Sequence, residues 1–320
     1  MGHYLLRRIA ISVPVLIFVT LIAFVLVNLA PGDPVTSMIN PVTRAELGPD
    51  WVKLRQEQLG LDKPVVVRYG LWLRELIQGN FGYSLIGGQP IASQIGDRIG
   101  PTLLLMGIAV VLGTGIGIPL GIMSALRSNS AIDYGLTVLG FFAISTPTFF
   151  LGLAFMYIFA VHLKWLPTSG MRTLGEAHSY TDLIKHMIMP VSVLALAHTP
   201  LVMRYARAAM LDALRQDFVT TARAKGLKET TVIIRHAFRN ALIPLITIVG
   251  LSLPELLSGA VITETIFQWP GMGLLAMRAV NSRDYPLVLG VIMVTATMVL
   301  LSNLIADCFY AIADPRIRFK

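Results

Sequence analysis

Charge is scarce in this chain. Asp, Glu, Lys and Arg make up 14% of its 320 residues, against roughly 25% in soluble domains, while 55% are hydrophobic and the mean hydropathy is +0.69. That balance excludes a soluble globular protein and predicts an integral membrane protein. Cysteine is nearly missing: Cys308 stands alone inside an apolar run, which excludes an intrachain disulfide and any cysteine metal-ligand spacing. Compartment must therefore come from topology. The histidines His3, His162, His178, His186, His198 and His236 form no metal-ligand spacing, and H-E-x-x-H is missing. His186 with Met187 and Met189 is read as ordinary span-edge sequence rather than a soft-metal entry point. G-x-x-x-x-G-K-[ST] is missing, so nucleotide phosphates cannot be cradled by that device; G-x-S-x-G is missing too. No catalytic residue, bound cofactor or metal is expected. Sequence repeats with periods of about 20 to 50 residues are also lacking, and the halves do not read as inverted copies, which disfavours a stand-alone secondary transporter.

What is present is long apolar runs. A bilayer core of about 30 Å needs roughly 20 mostly apolar residues per helix. Six runs qualify: Ile9 to Leu29, Thr102 to Leu126, Tyr134 to Leu163, His186 to Arg204, Ala241 to Ile262 and Pro286 to Ile312. The first follows Arg7 and Arg8 as a signal peptide would, but its apolar stretch exceeds the about 7 to 15 residues of a signal, and Ala30 is followed by Pro31. It reads as an uncleaved anchor.

The net charge of +8 and pI near 9.8 are explained by topology rather than by nucleic acid. With the N-terminus inside, Arg7, Arg8, Arg127, Arg204, Arg207, Arg215, Arg223, Lys225, Lys228, Arg235, Arg239, Arg316, Arg318 and Lys320 are cytoplasmic. The short outer loops hold Lys164, Arg172, Lys185, Arg278 and Arg283. The bias places both termini in the cytoplasm. The long outer segment from Pro31 to Arg98 is discounted, because segments above about 60 residues translocate largely regardless of charge. Charged and apolar residues alternate along it, and Gly60, Pro64, Gly79 and Gly82 break it, so it reads as short helices and turns without a core of its own.

Three span features bear on packing and passage. Gly113, Gly117 and Gly121 recur at intervals of four, with Gly115 beside them, a spacing that lets helices approach closely in lipid; Pro119 among them predicts a bend. Ser145, Thr146, Pro147 and Thr148 sit mid-span, where proline opens the hydrogen-bond ladder and hydroxyls can satisfy the freed groups. They are either a structural kink or the lining of a path. Glu255, beside Pro254, is either a contact on that path or a residue paired within the bundle or reaching water; Asp307, near the inner end of the last span, reads as interfacial.

Between the fourth and fifth spans lies a long cytoplasmic segment, about residues 204 to 240. Ala206, Ala209, Met210, Ala213, Leu214 and Phe218 recur at three- and four-residue steps, giving one apolar helix face. Lys225 and Gly226 mark a helix end. Val232, Ile233, Ala237, Phe238 and Ala241 then form a second amphipathic helix entering the fifth span. From pattern alone, such a basic loop fits either anionic lipid or a protein partner.

Here the residues carry a resemblance. Ala222-Arg-Ala-Lys-Gly226 and Arg235-His-Ala-Phe-Arg-Asn-Ala-Leu-Ile-Pro244 resemble the cytoplasmic loop of bacterial ABC importer permeases, in particular the "B" permease of the dipeptide, oligopeptide and nickel group. Leu29-Ala-Pro-Gly-Asp-Pro34, Leu59-Gly-Leu-Asp-Lys-Pro64, Gly117-Ile-Pro-Leu-Gly121, Thr263-Glu-Thr-Ile-Phe267, Trp269-Pro-Gly-Met-Gly273, Arg283-Asp-Tyr285 and Asp314-Pro-Arg-Ile-Arg318 agree in order along nearly the whole chain.

The resemblance implies an all-α membrane protein with six transmembrane helices, in the type I ABC importer permease fold with a cytoplasmic coupling helix. Its domains would be an anchor helix over 1–30, an extracytoplasmic segment over 31–98, a five-helix core over 99–312 and a cytoplasmic tail over 313–320. Its partners would be a homologous second permease in a heterodimer, two ABC ATPase subunits that use ATP and magnesium, and an extracytoplasmic substrate-binding protein, all at the bacterial inner membrane and in contact with lipid. The family's E-A-A-x-x-x-G motif aligns with Thr220, Thr221 and Ala222, with Gly226 in place; the glutamate is missing, so the helix-and-glycine geometry carries over and a specific ionic role does not. ATPase coupling is thereby assigned to Thr221, Ala222, Arg223, Ala224, Lys225, Gly226 and Leu227, and the candidate path to Ser145, Thr146, Pro147, Thr148 and Glu255. Outer segments Leu163 to Lys185 and Thr263 to Asp284 are expected to meet the binding protein. The expected cargo is di- or oligopeptide, with a nickel chelate or other small solute as the alternative, and a stand-alone secondary transporter, channel or membrane enzyme as readings of other classes.

Overall fold

Every long apolar run forms a helix. The computed structural model describes residues 2–29, 50–51, 53–54, 57, 62–175 and 179–313. Side-chain surroundings are described for these apart from 2–6, 243, 247, 251–259 and 309–313. In chain order the helices are α1 (Gly2–Leu29), α2 (Val65–Ile77), α3 (Ile91–Leu126), α4 (Ala131–Ser145), α5 (Thr148–Phe155), α6 (Tyr180–Leu214), α7 (Asp217–Ala224), α8 (Arg239–Ile266), α9 (Met272–Asn281) and α10 (Tyr285–Ala313). Two wider π-helical stretches follow α5 and precede α8: π1 (Met156–His162) and π2 (Val232–Phe238). Among the described residues the one strand-like pairing is an isolated antiparallel bridge between Tyr83 and Pro90.

Helices α1, α3, α6 and α10 are each long and apolar enough to cross a bilayer unbroken. Six spans are reached by counting two bent pairs: 131–145 with 148–162, bent by 95°, and 229–242 with 244–250, bent by 47°. The run Tyr134 to Leu163 is thus two nearly perpendicular arms rather than one straight span. The break follows from Thr146, whose backbone is extended, and Pro147, which starts α5; the residue before a proline is pushed out of the helical region. Helix α3 differs in the other direction. It begins at Ile91, ahead of its apolar run and inside the expected outer segment, and it continues through Pro119.

The chain divides into two compact units, residues 1–101 with 270–298, and 102–269 with 299–320. In the first, Ile91 and Ile95 of α3 pack with Met272, Leu275 and Ala279 of α9 and Leu287, Val288 and Val291 of α10. Gly290 makes this possible: a Cβ there would lie 2.8 Å from Ile91 Cγ2. Phe24 of α1 meets Tyr69 of α2 edge to face at 5.5 Å, and Leu289 joins them. The loop before α3 is tied down by Asp284, whose buried carboxylate accepts from Ser84 Oγ and from the Leu85 amide at 3.1 Å. The described residues of the segment read as extracytoplasmic therefore share a core with α1, α9 and α10.

In the second unit α6 is the central element, buried along most of its length. The glycine spacing on α3 is what seats it. A Cβ on Gly113 would come within 2.9 Å of His198, on Gly117 within 2.9 Å of Thr199 O and Val202, and on Gly121 within 2.5 Å of Ala206 and Met203 O. Gly115, on the other face, meets nothing within 4 Å. Leu105 and Ala109 pack with Met187, Val191, Leu194 and the fully buried Trp269, while Met189 and Val193 pack with Phe267. Met187 and Met189 thus enter different clusters, and the His186 ring lies 2.9 Å from Asp182 O. Near the middle of α8, Gly250 leaves room for α10: a Cβ there would lie 2.8 Å from Ala306 Cβ.

Candidate functional site

The segment between α6 and α8 is built from two short turns and a buried patch. Helix α6 ends at Leu214 and Gln216 is extended, so α7 starts afresh at Asp217. This departs from the single helix face read through Phe218: the break resets the register, so Val219, fully buried, points inward and Phe218 is left exposed. A helix of eight residues does not hold itself together in water. Its stability comes from Val219 and Ala222, which pack with Met210 and Ala213 of α6, Ala125 of α3, Val232 and Ala237 of π2, and Ala241 of α8. Burying Val219 alone is worth about 2 kcal/mol. The five-residue interval between Val232 and Ala237 keeps both on one face of the wider π-helical turn.

The end of α7 is fixed by backbone geometry. Gly226 has φ +72°, the left-handed region that glycine enters without strain. The Gly226 amide donates to Arg223 O at 2.9 Å and the Leu227 amide to Ala222 O at 3.4 Å, the paired bonds of a Schellman stop. Beyond it, Arg223 reaches over the turn to Glu229, its Nη2 2.6 Å and its Nε 3.2 Å from the two carboxylate oxygens. That hydrogen bond raises the Arg223 pKa above its ordinary value, so the side chain stays cationic. Of the residues assigned to coupling, Ala222 is buried, while Thr221, Arg223, Ala224, Lys225, Gly226 and Leu227 are exposed on one tip. The tip thus presents cations and a partly exposed Leu227 at the surface, from a base packed into the bundle. Sequence reading missed Val219 and Glu229. The first was displaced by the unforeseen break, and the second was marked by an acidic residue just past a glycine stop that follows an arginine.

Within the membrane the candidate path residues fall at the α4–α5 break. Thr146 Oγ1 donates to Phe142 O at 2.8 Å, supplying a bond to a carbonyl near the opened ladder. Ser145 and Pro147 are exposed, and Thr146 and Thr148 half-buried. Glu255 lies on α8, and its side chain is outside the described residues. Sequence reading did not single out Glu264, ten residues on from Pro254 along the same helix: it is fully buried and accepts from Thr102 Oγ1 at 2.6 Å. A cavity of about 420 Å³ lies among α3, α4, α6 and Phe155. Its walls include Ile116, Leu139, Leu196 and Met203, with Ser192 and Thr199 as the hydroxyl-bearing residues. Thr199 Oγ1 already donates to Ala195 O at 2.7 Å. Such a lining offers little to a charged or peptide-like solute, and Ser145, Thr146, Pro147 and Thr148 are not part of it. Among the described residues, no group of three or more His, Cys, Asp or Glu is placed to hold a metal ion.

Comparison with known proteins gives concordant matches. Residues 117–319 match the family model described as binding-protein-dependent transport system inner membrane component, and residues 1–106 match the model for the N-terminal part of such membrane components. The chain is 42% identical over 320 residues to the oligopeptide transport system permease protein AppB of Bacillus subtilis, with 100% of each chain covered. It is 35% identical over 346 residues to the dipeptide transport system permease protein DppB of Escherichia coli K12, again with 100% of each covered. Among solved structures, a chain of the inward-facing MetNI methionine ABC transporter superposes with TM-score 0.58 at 14% identity, covering 69% of this chain and 96% of that one. A chain of an amino acid ABC transporter does so with TM-score 0.51 at 17% identity, covering 68% and 93%. At those identities the likeness speaks for the fold.

Proposed function

The chain belongs to the family of binding-protein-dependent transport inner membrane components, and from that premise we propose that it is the permease subunit of an ATP-driven importer of di- and oligopeptides. Full-length identity of 42% to an oligopeptide permease carries the cargo assignment, and a nickel chelate is not favoured by these relatives. The chain itself is a non-enzymatic membrane component. Two partner ATPases bind and hydrolyse ATP with magnesium, a homologous second permease completes the path, and an extracytoplasmic binding protein delivers the peptide. Both termini lie in the cytoplasm, on the bias of Lys and Arg toward the loops on that side.

The observation that carries the mechanism is the two-sided build of the α7 tip. Its outer side is a rigid, cationic, exposed turn closed by Gly226, and its inner side is a buried patch shared by α3, α6, π2 and α8. A push on the tip by a closing ATPase cannot be absorbed by side chains already packed to near-zero exposure, so it moves the ends of α6 and α8 together. Those helices run into the membrane core, and their displacement opens and closes the path. The test is reconstitution with the partner subunits and uptake of radiolabelled tri-alanine. Uptake that needs both ATP and the binding protein supports the reading; accumulation without ATP, or of a nickel chelate in place of peptide, contradicts it.

A further inference from the structure

Where α3, α4 and α6 come together at the cytoplasmic side, a buried carboxylate holds all three. Asp133, 3% exposed, lies in the first turn of α4 and accepts from Arg207 of α6 through two parallel bonds, Nε and Nη2 each at 2.7 Å. Ser124 Oγ near the end of α3 donates to one of its oxygens, and the Asn129 amide donates to the other at 2.9 Å. Asn129 itself sits at φ +61° in the turn between α3 and α4, and Ser130 caps α4 by accepting from the Asp133 amide at 3.4 Å. The clasp coincides with the closest approach of the glycine ridge, since Gly121 leaves only 3.0 Å between a would-be Cβ and the Arg207 amide nitrogen.

Arg207 is more than one of the arginines that orient the chain. An orienting arginine needs only to reach water or lipid phosphate, whereas this guanidinium is committed in a planar fork to a carboxylate that the protein has removed from solvent, a geometry lysine cannot reproduce. The position is also specific. About one and two turns further along α6 come Met210 and Ala213, which pack against Val219 and Ala222 of the coupling helix. In the other direction α4 leads from Asp133 to the 95° break at Thr146. The pair therefore stands between the coupling tip and the bent span.

We propose that Asp133 and Arg207 are positioning residues for coupling: their clasp makes the start of α4 move with α6, so that a displacement received at α7 reaches the broken span. This rests on the importer reading above. Parting the pair strands a buried charge, so the clasp stays closed through the cycle and acts as a fixed joint. Without it, α6 still follows the ATPases and ATP is still turned over, but α4 lags and solute is not moved.

The test uses the assembled transporter in proteoliposomes, in a Cys308→Ser background that removes the chain's one cysteine. ATP hydrolysis and tri-alanine uptake are measured together. In D133C/R207C under reducing conditions, hydrolysis stays within about twofold of the parent while uptake falls about tenfold, a coupling loss of ordinary size. A short bifunctional thiol reagent that rejoins the two positions restores uptake, and R207K, which keeps the charge and loses the fork, shows the same fall in uptake per ATP. Unchanged uptake per ATP in R207K, a cross-link that leaves uptake low, or an uptake loss that merely tracks the amount of assembled complex would each overturn the clasp. Should the cysteine pair fail to assemble, R207K decides by the same ratio. A parent without ATP-driven uptake overturns the importer reading itself, and the clasp with it.

Discussion

Replacing Gly226 isolates what the turn at the end of α7 requires. Its φ is +72° and a Cβ there would meet nothing within 4 Å, so any cost within this chain comes from backbone conformation and not from crowding. Placing an L-residue in the left-handed region costs roughly 1–2 kcal/mol, asparagine being the tolerated exception. A β-branched side chain is the worst case. At about 1.4 kcal/mol per factor of ten, a cost of roughly 1–2 kcal/mol means that Gly226→Ala should reduce the population of the native turn about fivefold to thirtyfold, and Gly226→Val further still. Gly226→Asn should stay within about threefold of wild type. Uptake of tri-alanine per ATP hydrolysed, measured on equal amounts of assembled complex, should rank Gly, Asn, Ala, Val. Asparagine is bulkier than alanine, so the order of those two separates conformation from space. Asparagine falling below alanine, or valine transporting normally, would refute the conformational argument.

Further expectations follow from the packing. Val219→Ala removes two buried methyl groups from the patch under α7 and should cost about 1–2 kcal/mol locally, read as faster amide hydrogen exchange over residues 217–224 with little change elsewhere. Gly121→Leu must displace the α6 backbone, which a Cβ already meets at 2.5 Å, and should lower the detergent melting temperature by several degrees or prevent folding, whereas Gly115→Leu, facing open space, should not. Thr146→Val removes the hydroxyl bonded to Phe142 O and should cost about 1 kcal/mol in thermal stability. Glu229→Gln breaks an exposed pair, so its effect on exchange at the turn should be small and should vanish near 1 M salt.

Much of this architecture was legible because it depends on local residue type. Small residues at intervals of four announced close packing along α3, since a Cβ on Gly121 would lie 2.5 Å from Met203 O; that α6 is the partner had no local signal. A cation followed by glycine announced the end of α7. Proline flanked by hydroxyls announced the break at Thr146, though not its 95° angle, which is set by what each arm packs against. Other features had no local signal. The break at Arg215–Gln216 contains neither proline nor glycine, and both residues are good helix formers; tertiary packing of Val219 decides it. The start of α3 at Ile91 was hidden because hydropathy reports the apolar part of a helix and not its polar extension. The partnership of Asp133 with Arg207 joins positions 74 residues apart, beyond the reach of periodicity. The separation of Phe218 from Val219 shows how local such a break is: it resets which face of α7 turns inward, while Val232, Ala237 and Ala241 stay on the buried side.

The proposed mechanism has partner ATPases push on the exposed tip of α7. It is tested most directly by placing a photoreactive residue at Thr221, exposed on α7, and at Val66, 81% exposed on α2, in the assembled transporter. A cross-link from position 221 to an ATPase subunit is expected, with a yield that changes when ATP is added, and no ATPase cross-link from position 66. Cross-links from position 221 to lipid alone, with none to an ATPase subunit in either state, would contradict it.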